Sequence, residues 1–448
     1  MPSLPESDIQ EVELNNAGRD TIDVLTDPLT LKISTALFAG AVLHTFFTKK
    51  FNEWAQKYPE GSARENLFHF LGEVEVVFGL WAAALIVVIS FLHGTQTAVN
   101  YLNQVNFSEA AFVFVIMCLA STRPVMAAAN RMIDTLSRLL PLPAGVSFYA
   151  TALIVGPLLG SLITEPAAMT VTALMLRDRI FNANVSTKLK YATLGLLFVN
   201  VSIGGTLTHF AAPPILMVVG PWKWDLAYVF NNIGSRAFLS VVIGTTATIV
   251  FFWRELSRLT FSASDEKRAS VPLWLTLIHF GFMFLTILYH AHIAFFLALF
   301  LLFLGVAEVT REHQSALKIR ESLLVGFFLG GLVTLGGLQG WWLKDVVAAL
   351  EPFALFLSAT GLTAVTDNAA LTYLGTLVPE LSDKAKLALV GGAVAGGGLT
   401  VIANAPNPAG YGILQKSFGS QGISPVGLFL AALPATLLFM VIFLSTTP

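Results

Sequence analysis

Two acidic residues, Glu165 and Asp367, lie within long apolar stretches, each flanked by small oxygen-bearing side chains. The first sits in Thr164-Glu165-Pro166-Ala167-Ala168-Met169-Thr170 and the second in Thr366-Asp367-Asn368-Ala369-Ala370-Leu371-Thr372; four of the seven positions are identical, and a carboxylate is kept at the second. Each copy is followed by another interrupted apolar run. Gly204-Gly205-Thr206-Leu207-Thr208-His209-Phe210-Ala211 and Gly396-Gly397-Gly398-Leu399-Thr400-Val401-Ile402-Ala403 agree at five of eight positions, and Asn404-Ala405-Pro406-Asn407-Pro408 closes the second. The side chains beside these interruptions are Thr164, Glu165, Thr366, Asp367, Asn368, Thr206, Thr208, Thr400, Asn404 and Asn407, with no Lys or Arg among them. Small hard cations are satisfied by carboxylate, hydroxyl and carbonyl oxygen. A carboxylate at mid-membrane depth costs roughly 2.5 to 3.5 kcal/mol on insertion scales, so two at equivalent places point to function. Burial also favours the neutral acid, which lets a proton compete with a metal ion for one oxygen.

Such residues must be held by helices that stop inside the apolar layer. Backbone leaving a helix in hydrocarbon exposes unpaired N–H and C=O groups, so it survives only where protein or a water-filled cavity surrounds it. Four breaks in one chain should therefore converge. Helix N-termini there favour anions and free carbonyl ends favour cations. A weak internal repeat whose matched hydrophobic segments are broken by Gly, Pro and polar residues is a signature of secondary transporters, with the site at the breaks.

The composition agrees. The chain has 448 residues, 55% apolar and 12% charged, with a mean hydropathy of +0.72, too apolar and too weakly charged for a soluble globular protein. The net charge of -2 points to no nucleic-acid partner. Cys118 is the single cysteine and lies in an apolar run, so a disulfide framework is excluded. Residues 1–28 form a polar acidic tail without the basic start and apolar centre of a secretory signal. Apolar runs of about 17 to 25 residues suit helices crossing roughly 30 Å of hydrocarbon. They predict spans at 29–47, 69–94, 107–121, 228–253, 271–290, 293–309, 320–337 and 426–445, with an amphipathic interfacial stretch at 124–140. Re-entrant hairpins are expected at 147–177, tip 164–166, and at 348–379, tip 366–368; broken spans at 190–219 and 384–415 complete an all-α polytopic membrane protein. The organisation expected is a scaffold at 29–140, a first repeat at 141–253 and a second at 254–445. Assigning alternate loops to the cytoplasm places 19 of the 26 Lys and Arg there, the asymmetry of cytoplasmic loops. The same assignment gives the two hairpins opposite faces, as an inverted repeat requires.

A hairpin tip followed by a Gly-rich broken span, twice in opposite orientation, resembles the ion transporter superfamily, which contains sodium/proton antiporters of the NhaD type, arsenite permeases and divalent-anion sodium symporters. Thr366-Asp367-Asn368 is similar to the Asp-Asn hairpin motif of the antiporter and arsenite branches, and Asn404-Ala405-Pro406-Asn407-Pro408 to the Asn/Pro-rich segment after the glycines. The antiporter motif carries a proline shortly after Asp-Asn, where this chain has Ala369-Ala370; symporter relatives carry Ser-Asn-Thr at the first hairpin, where this chain has Glu165-Pro166. Glu165 would repel a divalent anion. The resemblance implies an elevator-type cycle, in which hairpins and broken spans move against a scaffold, and a homodimer.

The reading reached is a cation/proton antiporter, most simply Na⁺/H⁺, in the cell inner membrane. Asp367 and Glu165 would hold Na⁺ or H⁺. Asn368, Thr366, Thr164, Thr208, Thr400, Asn404 and Asn407 would complete the shell, and Gly204, Gly205, Gly396 and Gly397 would supply backbone at the breaks. His209 is a candidate proton relay, against the plainer reading of a packing histidine. For the carboxylates the plainer reading is helix capping; for Thr208 and Thr400, bonding to the preceding turn; for Arg236, a structural ion pair. Two other functions stay open: a Na⁺- or H⁺-coupled carrier of a small organic anion or oxyanion, and a non-transporting membrane scaffold or receptor. HExxH, GxSxG, Walker A and CxxC motifs are absent from the sequence, so neither an enzyme nor a cofactor is expected.

Overall fold

The computed structural model of the chain describes residues 27–261 and 271–446; most of the expected acidic tail lies outside the described residues. These are helical, without a strand among them. In chain order the helices are α1 Pro28–Thr45, α2 Thr48–Ala55, α3 Ala63–Gly72, α4 Val77–His93, α5 Thr95–Gln104, α6 Ser108–Ala120, α7 Arg123–Leu139, α8 Ala144–Ile163, α9 Glu165–Leu176, α10 Thr187–Gly204, α11 Pro213–Trp222, α12 Leu226–Val229, α13 Ser235–Phe251, α14 Trp253–Leu256, α15 Leu273–Leu288, α16 Ile293–Val309, α17 Ile319–Gly336, α18 Gly340–Ala348, α19 Pro352–Thr363, α20 Asn368–Thr376, α21 Asp383–Gly396, α22 Asn407–Leu414 and α23 Pro425–Thr446. Among the described residues, five helical stretches are long and apolar enough to cross a membrane: Val74–His93, Ala144–Ile163, Leu226–Phe251, Ile319–Gly336 and Pro425–Thr446. Two bent pairs, α1 with α2 at 60° and α5 with α6 at 63°, raise the count to seven if each is one span. The predicted spans at 271–290 and 293–309 are the shorter apolar helices α15 and α16. At 20 residues, α8 reaches about 30 Å by itself, which is longer than half a re-entrant loop needs.

The chain divides into two compact units. The first holds residues up to Ala111 together with Leu323–Ala348 and Leu377–Pro379, so it draws in part of the expected second repeat. Asp27 starts it, accepting hydrogen bonds from Thr30 N at 2.8 Å and Leu29 N at 3.4 Å ahead of Pro28, the chemistry of a helix start. Hydrogen bonds from the Thr30 hydroxyl and then from its backbone N–H hold the Asp27 carboxyl below the usual range. Residues 48–68, expected as a loop, contain α2 and most of α3. The Phe68 ring holds them together, lying against Phe51 at 6.4 Å, Trp54 at 5.6 Å and Tyr58 at 5.5 Å.

The second unit holds Phe112–Ser322, Ala349–Thr376 and Glu380–Pro448, and with them the first predicted hairpin, residues 349–376 of the second, and both broken spans. Its matched parts pack reciprocally: α9 lies on α22, and α20 on α11, so the second helix of each hairpin meets the second piece of the other half's broken span. The first pieces, α10 and α21, pack on each other. Each starts at a serine whose hydroxyl accepts from a backbone N–H three residues on, Ser186 from Leu189 and Ser382 from Ala385. One apolar core joins both halves, with Val199, Ile203, Ala212 and Ile215 from the first and Phe356, Val390, Val394 and Phe439 from the second. Lipid is as apolar as these side chains, so close packing is what holds such a core. Small residues make that approach possible: a Cβ on Gly195 would collide with the backbone of Ala431. The amphipathic stretch appears as α7, burying Val125, Ala129 and Ile133 at helical spacing.

Candidate functional site

Each interruption seen in the sequence is a break in the helices. Pro166 and the acidic Glu165 open α9 at a position where a helix tolerates a missing N–H and favours negative charge. The residue before them, Thr164, has φ 73° and ψ 149°, a region that a β-branched side chain rarely enters. On the other tip, α20 starts at Asn368, and Asp367 caps it: its Oδ1 accepts from Ala369 N at 2.8 Å and Ala370 N at 3.3 Å. In the broken spans, α10 ends at Gly204 and α11 resumes at Pro213, while α21 ends at Gly396 and α22 resumes at Asn407.

The four breaks are tied to one another. Thr208 Oγ1 donates to Ser161 O at 2.7 Å, and its repeat partner Thr400 Oγ1 donates to Ala364 O at 2.8 Å. Neither hydroxyl bonds back along its own helix; each joins a broken span to the hairpin of its own half. Thr206, by contrast, donates to Ile203 O in its preceding turn. Asn407 Nδ2 closes its break by donating to Gly397 O and Thr400 O. The halves meet at the peptide joining Ala403 and Asn404: Asn368 N donates to Ala403 O at 3.1 Å, and Asn404 Nδ2 donates to Glu165 Oε2 at 2.8 Å. Both hairpin tips therefore bond to adjacent residues of one broken span. Asp367 is near enough to Glu165 for the two charges to act on each other.

Glu165 is fully buried. Its Oε1, with Thr164 Oγ1, Thr363 Oγ1, Asn404 Oδ1, Asn407 Oδ1 and both amide atoms of Asn368, is buried without a hydrogen bond. An unsatisfied buried polar atom costs about 1–3 kcal/mol, more if charged, so a native protein gathers several only for a reason. All but the Asn368 nitrogen are oxygens, the donor set a hard cation takes. Asp367 and Thr366 are partly exposed at their tip.

His209 stands apart from this group. Its ring lies beside His290 at 6.1 Å and Phe210 at 5.5 Å, and its Nδ1 makes no hydrogen bond. His290, in the turn between α15 and α16, thus neighbours the first break. Arg236 donates to the carbonyls of Asn231, Asn232 and Thr446 and to the Thr446 hydroxyl. Its hydrogen-bond partners among the described residues are thus carbonyl and hydroxyl oxygens: of the carboxylate or carbonyl partner that a cation in a span needs, it has the carbonyl. Sequence reasoning passed over three hydroxyls. Ser161 Oγ donates to Gly204 O at 2.7 Å and accepts from Leu207 N at 2.9 Å; Ser202 Oγ donates to Val394 O at 3.0 Å across the halves; Thr363 is the repeat partner of Ser161. Extending the repeat three residues upstream of each tip exposes the Ser161/Thr363 pair as a shared hydroxyl position.

Compared with known proteins, residues 30–445 match the sequence family described as "Putative Na+/H+ antiporter". No curated protein matches the chain.

Proposed function

This chain belongs to that Na⁺/H⁺ antiporter family, and from that premise we propose that it exchanges Na⁺ for H⁺ across the cell inner membrane, with Glu165 and Asp367 as the carboxylates that hold either ion. The observation that carries the reading is the buried, unpartnered Glu165 Oε1 beside Asn404, whose amide nitrogen holds Oε2 and whose own Oδ1 is also unpartnered. Thr164 Oγ1 and Asn404 Oδ1 are neutral acceptors available to a cation held by the carboxylate. A proton on the same carboxyl removes the charge that attracts the metal ion, so each occupant excludes the other. Asp367 adds a second negative charge within reach, which strengthens attraction for a cation and penalises a site left without one.

Alternating access follows an elevator scheme on this proposal, with the hairpins and broken spans travelling together. Their membership of one compact unit supports it, since a body that moves as a piece must be packed as one. The reciprocal packing of α9 on α22 and α20 on α11 supports the inverted repeat on which such a cycle rests.

The test is ion-driven proton flux in proteoliposomes loaded with a pH-sensitive dye. Na⁺ or Li⁺ added outside should drive proton efflux with no organic solute present. Replacing Asp367 by Asn should abolish that flux while expression and monodispersity persist, because Asn caps a helix about as well as Asp. An active D367N protein removes the mechanism as proposed, and flux that requires an added anion replaces it with coupled anion transport.

A further inference from the structure

Gly205 and Gly397 stand at matched positions, each directly after the last residue of a broken span's first helix. Neither needs glycine for its backbone: φ is −67° at Gly205 and −62° at Gly397, open to any residue. What they lack room for is a side chain. A Cβ on Gly205 would collide with Cγ and Oε1 of Glu165 and lie 2.8 Å from Cδ. On Gly397 it would meet Asn368 Nδ2 at 2.8 Å and collide with Ser202 Oγ. The glycines one residue earlier face differently: at Gly204 a Cβ would meet the backbone of Pro157 at 3.0 Å, and at Gly396 that of Thr360 with Thr363 Cβ at 2.7 Å. In each pair, then, the first glycine lets the helix approach its hairpin, and the second makes space for a polar side chain of the tip. Those side chains are buried and bear unpartnered atoms, Glu165 Oε1 and both amide atoms of Asn368.

We propose that Gly205 and Gly397 determine which cations the protein accepts by size, acting as specificity-determining positions behind Glu165 and Asn368. This rests on the antiport reading above. A methyl group at position 205 would press on Cγ and on Oε1, the oxygen that has no hydrogen bond. The room left shrinks, and the larger of two alkali cations loses more than the smaller. At position 397 the same crowding falls on Asn368, whose amide can turn aside, so the effect is weaker.

The experiment measures apparent affinities for Li⁺, Na⁺ and K⁺ in the proton-flux assay for wild type, G205A and G397A, with Li⁺- and Na⁺-dependent thermal stabilisation in detergent as a readout independent of flux. One methyl in a packed pocket is worth about 10-fold or more, so G205A should lose about 10-fold in Na⁺ affinity and distinctly less in Li⁺; G397A should shift the ratio in the same direction by about 3-fold. Equal losses for all cations, or none, in G205A overturn the proposal while leaving antiport intact. A wild-type protein without cation-driven flux overturns antiport itself, and this inference with it. Should G205A fail to fold, G397A carries the test, and an unshifted Li⁺ to Na⁺ ratio in that protein overturns the proposal.

Discussion

Glu165 and Asp367 occupy the same position in the two halves, yet one is the first residue of its helix and the other the residue before it. Asp367 spends one oxygen on the N–H groups of Ala369 and Ala370 and stays partly exposed. Glu165 is sealed, and among the described residues the hydrogen bond recorded for it comes from Asn404, in the other half. Asp367 therefore supports its helix by direct hydrogen bonds, and Glu165 by its charge in the first turn. The repeat keeps a carboxylate at each tip while the two halves use it differently: Asp367 caps its hairpin helix, and Glu165 accepts from Asn404 of the other half.

The largest effect that could break this comparison is loss of exchange. E165Q keeps an acceptor for Asn404 Nδ2 and removes the charge, so proton flux should fall at least about 100-fold, in line with removal of an interaction central to the chemistry, as in D367N. Stability should then separate the pair. D367A loses the cap and should lower the thermal midpoint in detergent by the equivalent of about 1 kcal/mol relative to D367N. E165Q should match or exceed the wild-type midpoint, because it removes a buried charge and keeps an acceptor for Asn404 Nδ2. Equal destabilisation by E165Q and D367A would dissolve the distinction. Next in size is N404A, which leaves Glu165 Oε2 without its donor and removes Oδ1 from the shell. Apparent Na⁺ affinity should drop about 10-fold, the scale on which removing a ligand's orienting partner acts, with maximal flux less affected; ion titration of the dye signal measures both.

Much of this architecture could be read before any coordinates. The tips at Thr164 and Asn368 and the breaks at Gly204, Pro213, Gly396 and Asn407 are written by residues whose effect is local: Pro fixes φ and lacks an N–H, glycine loosens a helix end, and Asp caps. Partnerships were not legible. Thr208 and Thr400 have the composition of residues that bond to their own helix, and only folding sends them to Ser161 and Ala364. Nothing local announces that Asn404 bonds to the opposite half, or that His209 lies beside His290. The helical segments within 48–68 read as a loop in the sequence because short amphipathic stretches with Lys and Glu carry little apolar signal; their aromatic residues supply the packing that fixes them.

Thr164 offers a smaller test that sharpens the contrast between tips. Its φ of 73° has no counterpart at Thr366, since the non-glycine residues with positive φ among those described are Thr164, Lys223 and Glu380. Holding a threonine there costs about 1–3 kcal/mol. T164G should relieve that cost and raise the thermal midpoint, yet lower Na⁺ affinity by a few-fold, as expected for loss of one neutral acceptor worth about 1 kcal/mol. A stabler protein with unchanged affinity would make Thr164 a matter of backbone alone.

The smallest effect distinguishes the hydroxyls three residues before each tip. Ser161 Oγ bonds both Gly204 O and Leu207 N, holding the first break shut against its hairpin, while Thr363 Oγ1 at the matched position is buried with no partner. S161A forfeits two hydrogen bonds and leaves a buried carbonyl and N–H without their partner, so it should cost about 1–3 kcal/mol. T363V removes only an unsatisfied hydroxyl and should leave the midpoint unchanged or raise it by a few tenths of a kcal/mol. Thermal unfolding of the two variants side by side reads the difference. If T363V proves as destabilising as S161A, then Thr363 makes a bond in the working protein that matches those of Ser161.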